Sequence, residues 1–230
     1  MKTIGLLGGM SWESTIPYYR IINEQVKHRL GGLHSAKILL YSVDFAEIEQ
    51  MQHAGHWDQA GALLAAFAGR LETAGAEFLV ICTNTMHKLA PEIEAAIDVP
   101  LLHIADATAD AIRAEAITTV GLLGTRFTME QDFYAGRLRD RHGLEVLTPD
   151  ESGRDVVHDV IYNELCLGQV NDHSRQAFVQ IVERLAQQGA GGIILGCTEI
   201  PMLLRPEDVS VPLFDTTTIH ARAAADFALR

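Results

Sequence analysis

At 230 residues the chain is too long for one minimal core and suits one large or two small α/β domains. Its 48% hydrophobic and 21% charged content is that of an ordinary globular protein. A net charge of −12 with no basic run argues against non-specific binding to nucleic acid or to an anionic membrane surface, and no apolar stretch reaches bilayer length.

Taken from the amino end, Met1-Lys2-Thr3-Ile4-Gly5 opens straight into a strand-like run and a glycine loop. It carries neither the long apolar region nor the small-residue cleavage site of a secretory signal. A helical pattern follows over residues 16–29, then a continuous apolar run at 38–43. A second helical pattern covers 58–73, and apolar runs recur at 78–81, 120–123 and 193–195, with a third helical pattern at 177–188. Short runs of unbroken hydrophobicity are what parallel strands buried on both faces require. Strands and helices alternating in this way predict parallel sheets flanked by helices. Three cysteines, an odd number spread far apart, read as reduced thiols of a cytoplasmic protein and not as a disulfide framework.

The chain repeats itself. Thr3-Ile4-Gly5-Leu6-Leu7-Gly8 returns as Thr119-Val120-Gly121-Leu122-Leu123-Gly124. Gly75-Ala76 and the run to Thr83 return as Gly189-Ala190 and the run to Cys197. Val99-Pro100-Leu101-Leu102 returns as Val211-Pro212-Leu213-Phe214. Three matches in one order, at nearly constant offset, predict a duplication. The expected fold is therefore α/β, with two pseudo-symmetric half-domains and an active site in the cleft between them. Residues 1–103 with 212–230 are expected to form the first half, and 104–211 the second. Ligands of parallel sheets bind beyond the carboxyl ends of the strands. That rule selects residues 8–10, 83–87, 124–128 and 197–199.

The repeat sets Thr83 on Cys197, each at the end of a buried strand and each followed by a polar pair. Two such groups on opposite walls can reach both faces of one carbon, which is the requirement of racemisation. A thiol is the better base of the two, since its ordinary pKa of about 8.5 falls at a helix N-terminus. Cys197 is thus expected to be a thiolate and the most readily alkylated of the three cysteines. Cys82 alternates with Thr83 and should point away from the site. Asn84, Thr85, Thr125, Thr128 and Thr198 are candidate donors to a substrate carboxylate, although such residues also cap helices at these loops. Glu199 is a candidate for holding the substrate ammonium or for orienting Cys197. Met10 is a candidate for a backbone contact, Gly8 and Gly9 permitting a tight loop. His87 is either a supporting residue or an ordinary helix residue. The spacing around Gly5 and Gly8 is not a dinucleotide fingerprint, Lys88 is the only lysine near a motif, and the histidines lack partners at metal-ligand spacing.

Gly8-Gly9-Met10, Cys82-Thr83-Asn84-Thr85-Met86-His87 and Gly196-Cys197-Thr198-Glu199-Ile200 resemble the signature motifs of the aspartate/glutamate racemase family, in order and across essentially the whole chain. The resemblance implies an isomerase that racemises amino acids with an acid/base residue on each face of the α-carbon. It implies neither pyridoxal phosphate nor metal, a small-molecule amino-acid substrate, and a homodimer. It assigns Cys197 as one acid/base residue. At the other position the family usually has cysteine directly before Asn-Thr, and here stands Thr83. Acid-specific relatives tend to carry lysine where Cys166 stands, and no arginine occurs between Asp44 and Gly55 to read a side-chain carboxylate. The alternatives left open are a racemase or isomerase of broad or neutral amino acids, of a hydantoin or of a maleate-like diacid, and a non-catalytic small-molecule-binding protein.

Overall fold

A computed structural model describes all 230 residues, Met1–Arg230. The chain forms two units, one of Met1–Ile104 with Thr217–Arg230 and one of Ala105–Thr216. In chain order the first holds β1 (Ile4–Gly8), α1 (Trp12–Leu30), β2 (Ile38–Ser42), α2 (Phe45–His53), α3 (Trp57–Thr73), β3 (Phe78–Ile81), α4 (Ala90–Glu94) and β4 (Leu101–Leu102). The second begins within α5 (Ile104–Ala114) and continues through β5 (Thr119–Gly124), α6 (Arg126–Glu130), α7 (Asp132–His142), β6 (Glu145–Leu147), α8 (Glu151–Asn163), α9 (Asp172–Gln187), β7 (Ile193–Gly196), α10 (Ile200–Leu203) and β8 (Leu213–Asp215). The last helix, α11 (Thr216–Ala228), returns the chain to the first unit.

Each unit contains one four-stranded sheet, ordered β2-β1-β3-β4 in the first and β6-β5-β7-β8 in the second. Every strand pair is parallel. The two orders are identical once β1 is matched with β5, and the three sequence matches fall on β1/β5, β3/β7 and β4/β8. The fold is α/β in two half-domains, as the repeat predicts. The central strands β1, β3 and β7 are buried at every residue, whereas the edge strands β2 and β6 are partly exposed.

The chain returns to the first unit later than the repeat suggests. β8 pairs with β7, Ile193 opposite Leu213 and Leu195 opposite Asp215, so residues 213–215 complete the second sheet. The return lies at Thr217 and not at residue 212. The Val-Pro-Leu match marks the strand itself, and a strand stays where its ladder hydrogen bonds are.

Side-chain alternation assigns the faces. Ile4, Leu6, Phe78, Val80 and Cys82 pack with Tyr18, Ile22 and Val26 of α1 and with the alanines of α11. Leu7, Leu79 and Ile81 pack on the other face with Leu64, Ala68 and Leu71 of α3. In the second unit Leu123, Ile193 and Leu195 pack with Val157 and Ile161 of α8 and with Phe178, Ile181 and Leu185 of α9. Each such side chain removed from water contributes about 1.5–3 kcal/mol before entropy is counted. Within the second unit Asp106 of α5 accepts two hydrogen bonds from Arg137 of α7 (2.7 and 2.6 Å) and pairs with His142 (2.8 Å). Partial burial opposes ionisation of Asp106, but the Arg137 and His142 hydrogen bonds outweigh it and hold the carboxyl below its ordinary range.

Candidate active site

The turn after β1 is built by glycine and one threonine. Gly9 adopts φ +89° and its N–H donates to Thr15 Oγ1 (2.8 Å), whose hydroxyl donates on to the carbonyl of Ser11 (2.9 Å). A Cβ on Gly9 would lie 2.4–2.5 Å from the carbonyl oxygen and nitrogen of Val43. Gly9→Ala therefore meets both an unfavourable φ and a backbone overlap. It should lower stability by at least about 1–3 kcal/mol, read as the shift in urea midpoint at constant slope. The Met10 side chain is buried in the core beside Leu7 and Ile48, so only its backbone is available to a ligand. Thr15 carries no sequence motif and escaped detection.

After β3 the chain runs Cys82-Thr83-Asn84 into a short 3₁₀ helix, Thr85–Leu89. Cys82 continues the Phe78–Val80 face into the core, and burial pushes its thiol far up. Thr83 shares the opposite parity and is part-exposed. Its carbonyl accepts from Nδ1–H of His87 (2.8 Å), while no carboxylate, imidazole or thiol bonds its hydroxyl. Asn84 and Thr85 are buried at 3% and 8% exposure, which leaves Thr83 as the accessible residue of the motif. Lys88 holds its ammonium 4.0 Å over the Trp57 ring. This cation–π contact occupies the one lysine near a motif.

The second unit repeats the arrangement with different chemistry. β5 and β7 end side by side, Gly124 opposite Gly196, and a Cβ on either would approach the other strand's backbone to about 3 Å. Cys197 continues the Ile193–Leu195 face of β7 and is part-buried. It holds the place after β7 that Thr83 holds after β3. Its S–H donates to Oε2 of Glu199 (3.0 Å), and the hydroxyl of Thr198 donates to the same oxygen (2.6 Å). Loss of hydration first, and then the Glu199 charge and hydrogen bond, push the Cys197 thiol well above its ordinary range.

This corrects the expected thiolate. The helix that was to lower the pKa, α10, has only four residues and carries Pro201 in its first turn, while a carboxylate stands directly against the sulfur. An anion at 3.0 Å opposes a second anion far more than so short a helix favours one. The expected order of alkylation changes with it. Cys166, exposed in the 3₁₀ turn Leu165–Leu167, should react first with iodoacetamide at neutral pH, Cys197 slowly, and buried Cys82 last. Peptide mass spectrometry over a time course reads this order.

Three of the carboxylate-donor candidates are committed elsewhere. Thr128 is fully buried, and Thr125 caps α6 by accepting from the Thr128 N–H (3.4 Å) with the two hydroxyls 3.2 Å apart. Thr198 spends its hydroxyl proton on Glu199. Glu199 is where these hydrogen bonds converge, one carboxylate oxygen accepting from both the Cys197 thiol and the Thr198 hydroxyl. No group of three or more His, Cys, Asp or Glu side chains gathers as metal ligands.

The sequence profile of Asp/Glu/hydantoin racemases matches residues 7–224. The chain belongs to that family. Within it the chain is 26% identical over 227 residues to the broad specificity amino-acid racemase RacX of Bacillus subtilis, covering 96% of this chain and 95% of that one. A crystal structure from Yersinia pestis that bears the provisional name Asp/Glu racemase superposes with a TM-score of 0.96 at 61% identity, covering both chains fully. An aspartate racemase homologue from Pyrococcus horikoshii superposes at 0.87 with 33% identity, also over the full length of both. The family resemblance drawn from the three motifs is thus upheld along the chain, and membership makes the chain a racemase and an isomerase. No helix is long and apolar enough to cross a membrane.

Proposed function

We propose that this member of the family is a cofactor-independent amino-acid racemase in which Cys197 and Thr83 serve opposite faces of the substrate α-carbon. The observation that carries the reading is the thiol–carboxylate pair at the end of β7, set at the same topological post as Thr83 in a chain whose two sheets repeat. A neutral thiol at rest cannot remove an α-proton. Glu199 first takes the S–H proton, the thiolate then takes the α-proton, and the Thr83 hydroxyl supplies a proton to the other face. The alkoxide left on Thr83 is reprotonated by solvent, and Glu199 releases its proton to solvent, which restores the resting thiol–carboxylate pair. Running the sequence backwards needs Thr83 as a base, and no protein group is bonded to its hydroxyl to make it one. Thr83-initiated turnover is therefore the slower direction.

The substrate range we propose is broad or neutral. Between Asp44 and Gly55 the carboxylate of Asp44 caps α2, accepting from the Ala46 N–H (3.1 Å), and Ile48 is core. Neither offers a cation to a second carboxylate. Cys166, where acid-specific relatives tend to carry lysine, is exposed and offers no cation. RacX, at 26% identity, is described as a broad specificity enzyme. Cys166→Lys should raise kcat/KM for aspartate or glutamate relative to alanine by up to about fivefold, the worth of one exposed ion pair of up to about 1 kcal/mol. Chiral chromatography of parallel reactions measures the ratio.

The proposal extends to a homodimer working in the cytoplasm, supported by the family resemblance and by three free cysteines in a chain of net charge −12. Sedimentation velocity tests the dimer. The function is tested by incubating the protein in D2O with each chiral proteinogenic L-amino acid and following α-deuterium by mass spectrometry and enantiomer ratio by chiral chromatography. A racemase incorporates deuterium and forms the D-enantiomer of at least one neutral amino acid. A binding protein does neither.

A further inference from the structure

Beneath the Thr83 turn lies His87, 1% exposed. Its Nδ1 is 2.8 Å from the carbonyl oxygen of Thr83 and its Nε2 is 3.2 Å from the backbone nitrogen of Ile104. Both partners are backbone groups, so their polarity is not open to choice. The carbonyl only accepts and the N–H only donates. Nδ1 must therefore carry the proton, and Nε2 must present a lone pair. A second proton on Nε2 would set N–H against N–H, so the bonded ring is neutral. The ring is boxed in by His103, centroids 4.5 Å apart, and by His220 at 5.7 Å.

His220 is oriented by the same logic. Its Nε2–H donates to the Leu102 carbonyl (2.8 Å), and its Nδ1 accepts from the Tyr18 hydroxyl (2.9 Å). The backbone on both sides of His103 is thereby tied, Leu102 to His220 and Ile104 to His87. The Thr83 carbonyl is anchored to a point that is itself anchored twice.

We propose that His87 is a positioning residue for the reaction: a neutral imidazole held as the Nδ1–H tautomer, it fixes the peptide plane of Thr83 and so aims the Thr83 hydroxyl at the α-carbon. The inference rests on Thr83 being one of the two acid/base groups. It adds that the poorer catalyst of the pair is the one given a rigid mount. A weakly acidic hydroxyl delivers its proton only from a well-held position, because misplacement by about 1 Å costs on the order of a hundredfold. Cys197 needs less, having Glu199 bonded to its sulfur.

Two isosteric variants separate the ring's two bonds. His87→Asn keeps a donor near the Nδ1 position and loses the acceptor for Ile104. His87→Gln keeps an acceptor near Nε2 and loses the donor to Thr83. Both are compared with the native protein in D2O on the amino acid it turns over fastest, with thermal midpoints recorded. His87→Gln should lose at least about tenfold in kcat for racemisation with KM nearly unchanged, while deuterium exchange with retention, which needs Cys197 and Glu199 but not Thr83, stays within about twofold. His87→Asn should recover most of the racemisation. Imidazole ¹⁵N spectra of the native protein should show His87 protonated at Nδ1. Equal loss of exchange and racemisation in both variants would make His87 merely structural and overturn the proposal, as would an Nε2–H tautomer. A native protein that neither exchanges nor racemises any amino acid would remove the racemase reading, and this proposal with it. The tautomer spectrum distinguishes that outcome from an error in the geometry.

Discussion

Cys197→Ala should abolish both racemisation and α-proton exchange, a loss of about 10²–10⁴-fold for removal of one acid/base group. Neither of the other thiols stands at the end of β7. Cys82 faces the core behind β3, and Cys166 stands exposed on a different turn. Glu199→Gln is the more informative change. Glutamine still accepts from the sulfur and from Thr198, so the geometry survives, but the negative charge is gone. That charge is one of the causes that push the thiol up. Its removal must lower the Cys197 pKa, and each pH unit of lowering raises the thiolate fraction about tenfold. Alkylation of Cys197 at neutral pH should therefore quicken in Glu199→Gln. Racemisation should fall, because the group that receives the thiol proton has been removed. Faster labelling joined to slower turnover is the signature of a carboxylate acting as the thiol's base. Slower labelling together with slower turnover would instead mean that Glu199 only braces the loop. The native thiol, being raised, should also show labelling that climbs with pH well beyond the range of an ordinary cysteine.

Thr83→Ala should reduce racemisation by a comparable factor but leave exchange with retention, since the Cys197 thiol, having traded the proton it removed for a solvent deuteron, can return that deuteron to the same face. Thr83→Cys should place a thiol at each post and raise the slower direction most. Forward and reverse turnover numbers can differ in the native protein. Their ratios with the Michaelis constants still obey an equilibrium constant of one between enantiomers. Progress curves from each pure enantiomer, fitted for all three variants, measure the effect. Full racemisation by Cys197→Ala, or no gain in either direction from Thr83→Cys, would sink the unequal-pair assignment.

The two sets of changes test separate parts of the proposed mechanism. In that mechanism the base at β7 is restrained by its own carboxylate until that carboxylate takes the proton, and the acid at β3 is held in place by an imidazole with two fixed backbone partners. A symmetric pair of thiols would need neither arrangement to the same degree. With a hydroxyl in place of one thiol, the proposed pair has unlike turnover numbers in its two directions, and each residue is supported by separate means.

Much of this architecture was legible along the chain because parallel strands buried on both faces are written as unbroken apolar runs. Residues 78–81 form β3 as read, and 38–43, 120–123 and 193–195 fall on β2, β5 and β7 to within a residue at either end. Helices were read less fully. α1 begins at Trp12 and not at residue 16, because its start is decided by Ser11 accepting from the Ser14 N–H, and α9 begins at Asp172, a turn before the periodic stretch. The repeat carried the equivalence of Thr83 and Cys197, and strand alternation carried the burial of Cys82. Local period and recurrence along the chain therefore specify the fold class, the two halves, and the two equivalent positions at the strand ends. Distances between groups that folding brings together specify the rest. The protonation of Cys197 follows from one carboxylate at 3.0 Å. The commitment of Thr125 and Thr128 to each other follows from a helix cap, and the later return of the chain at Thr217 from the pairing of β8 with β7. The neutrality of His87 follows from two backbone groups, the Thr83 carbonyl and the Ile104 N–H, that lie twenty-one residues apart in the chain. Electrostatic and hydrogen-bond energies vary steeply with separation and orientation, and neither quantity is encoded in the period of a sequence.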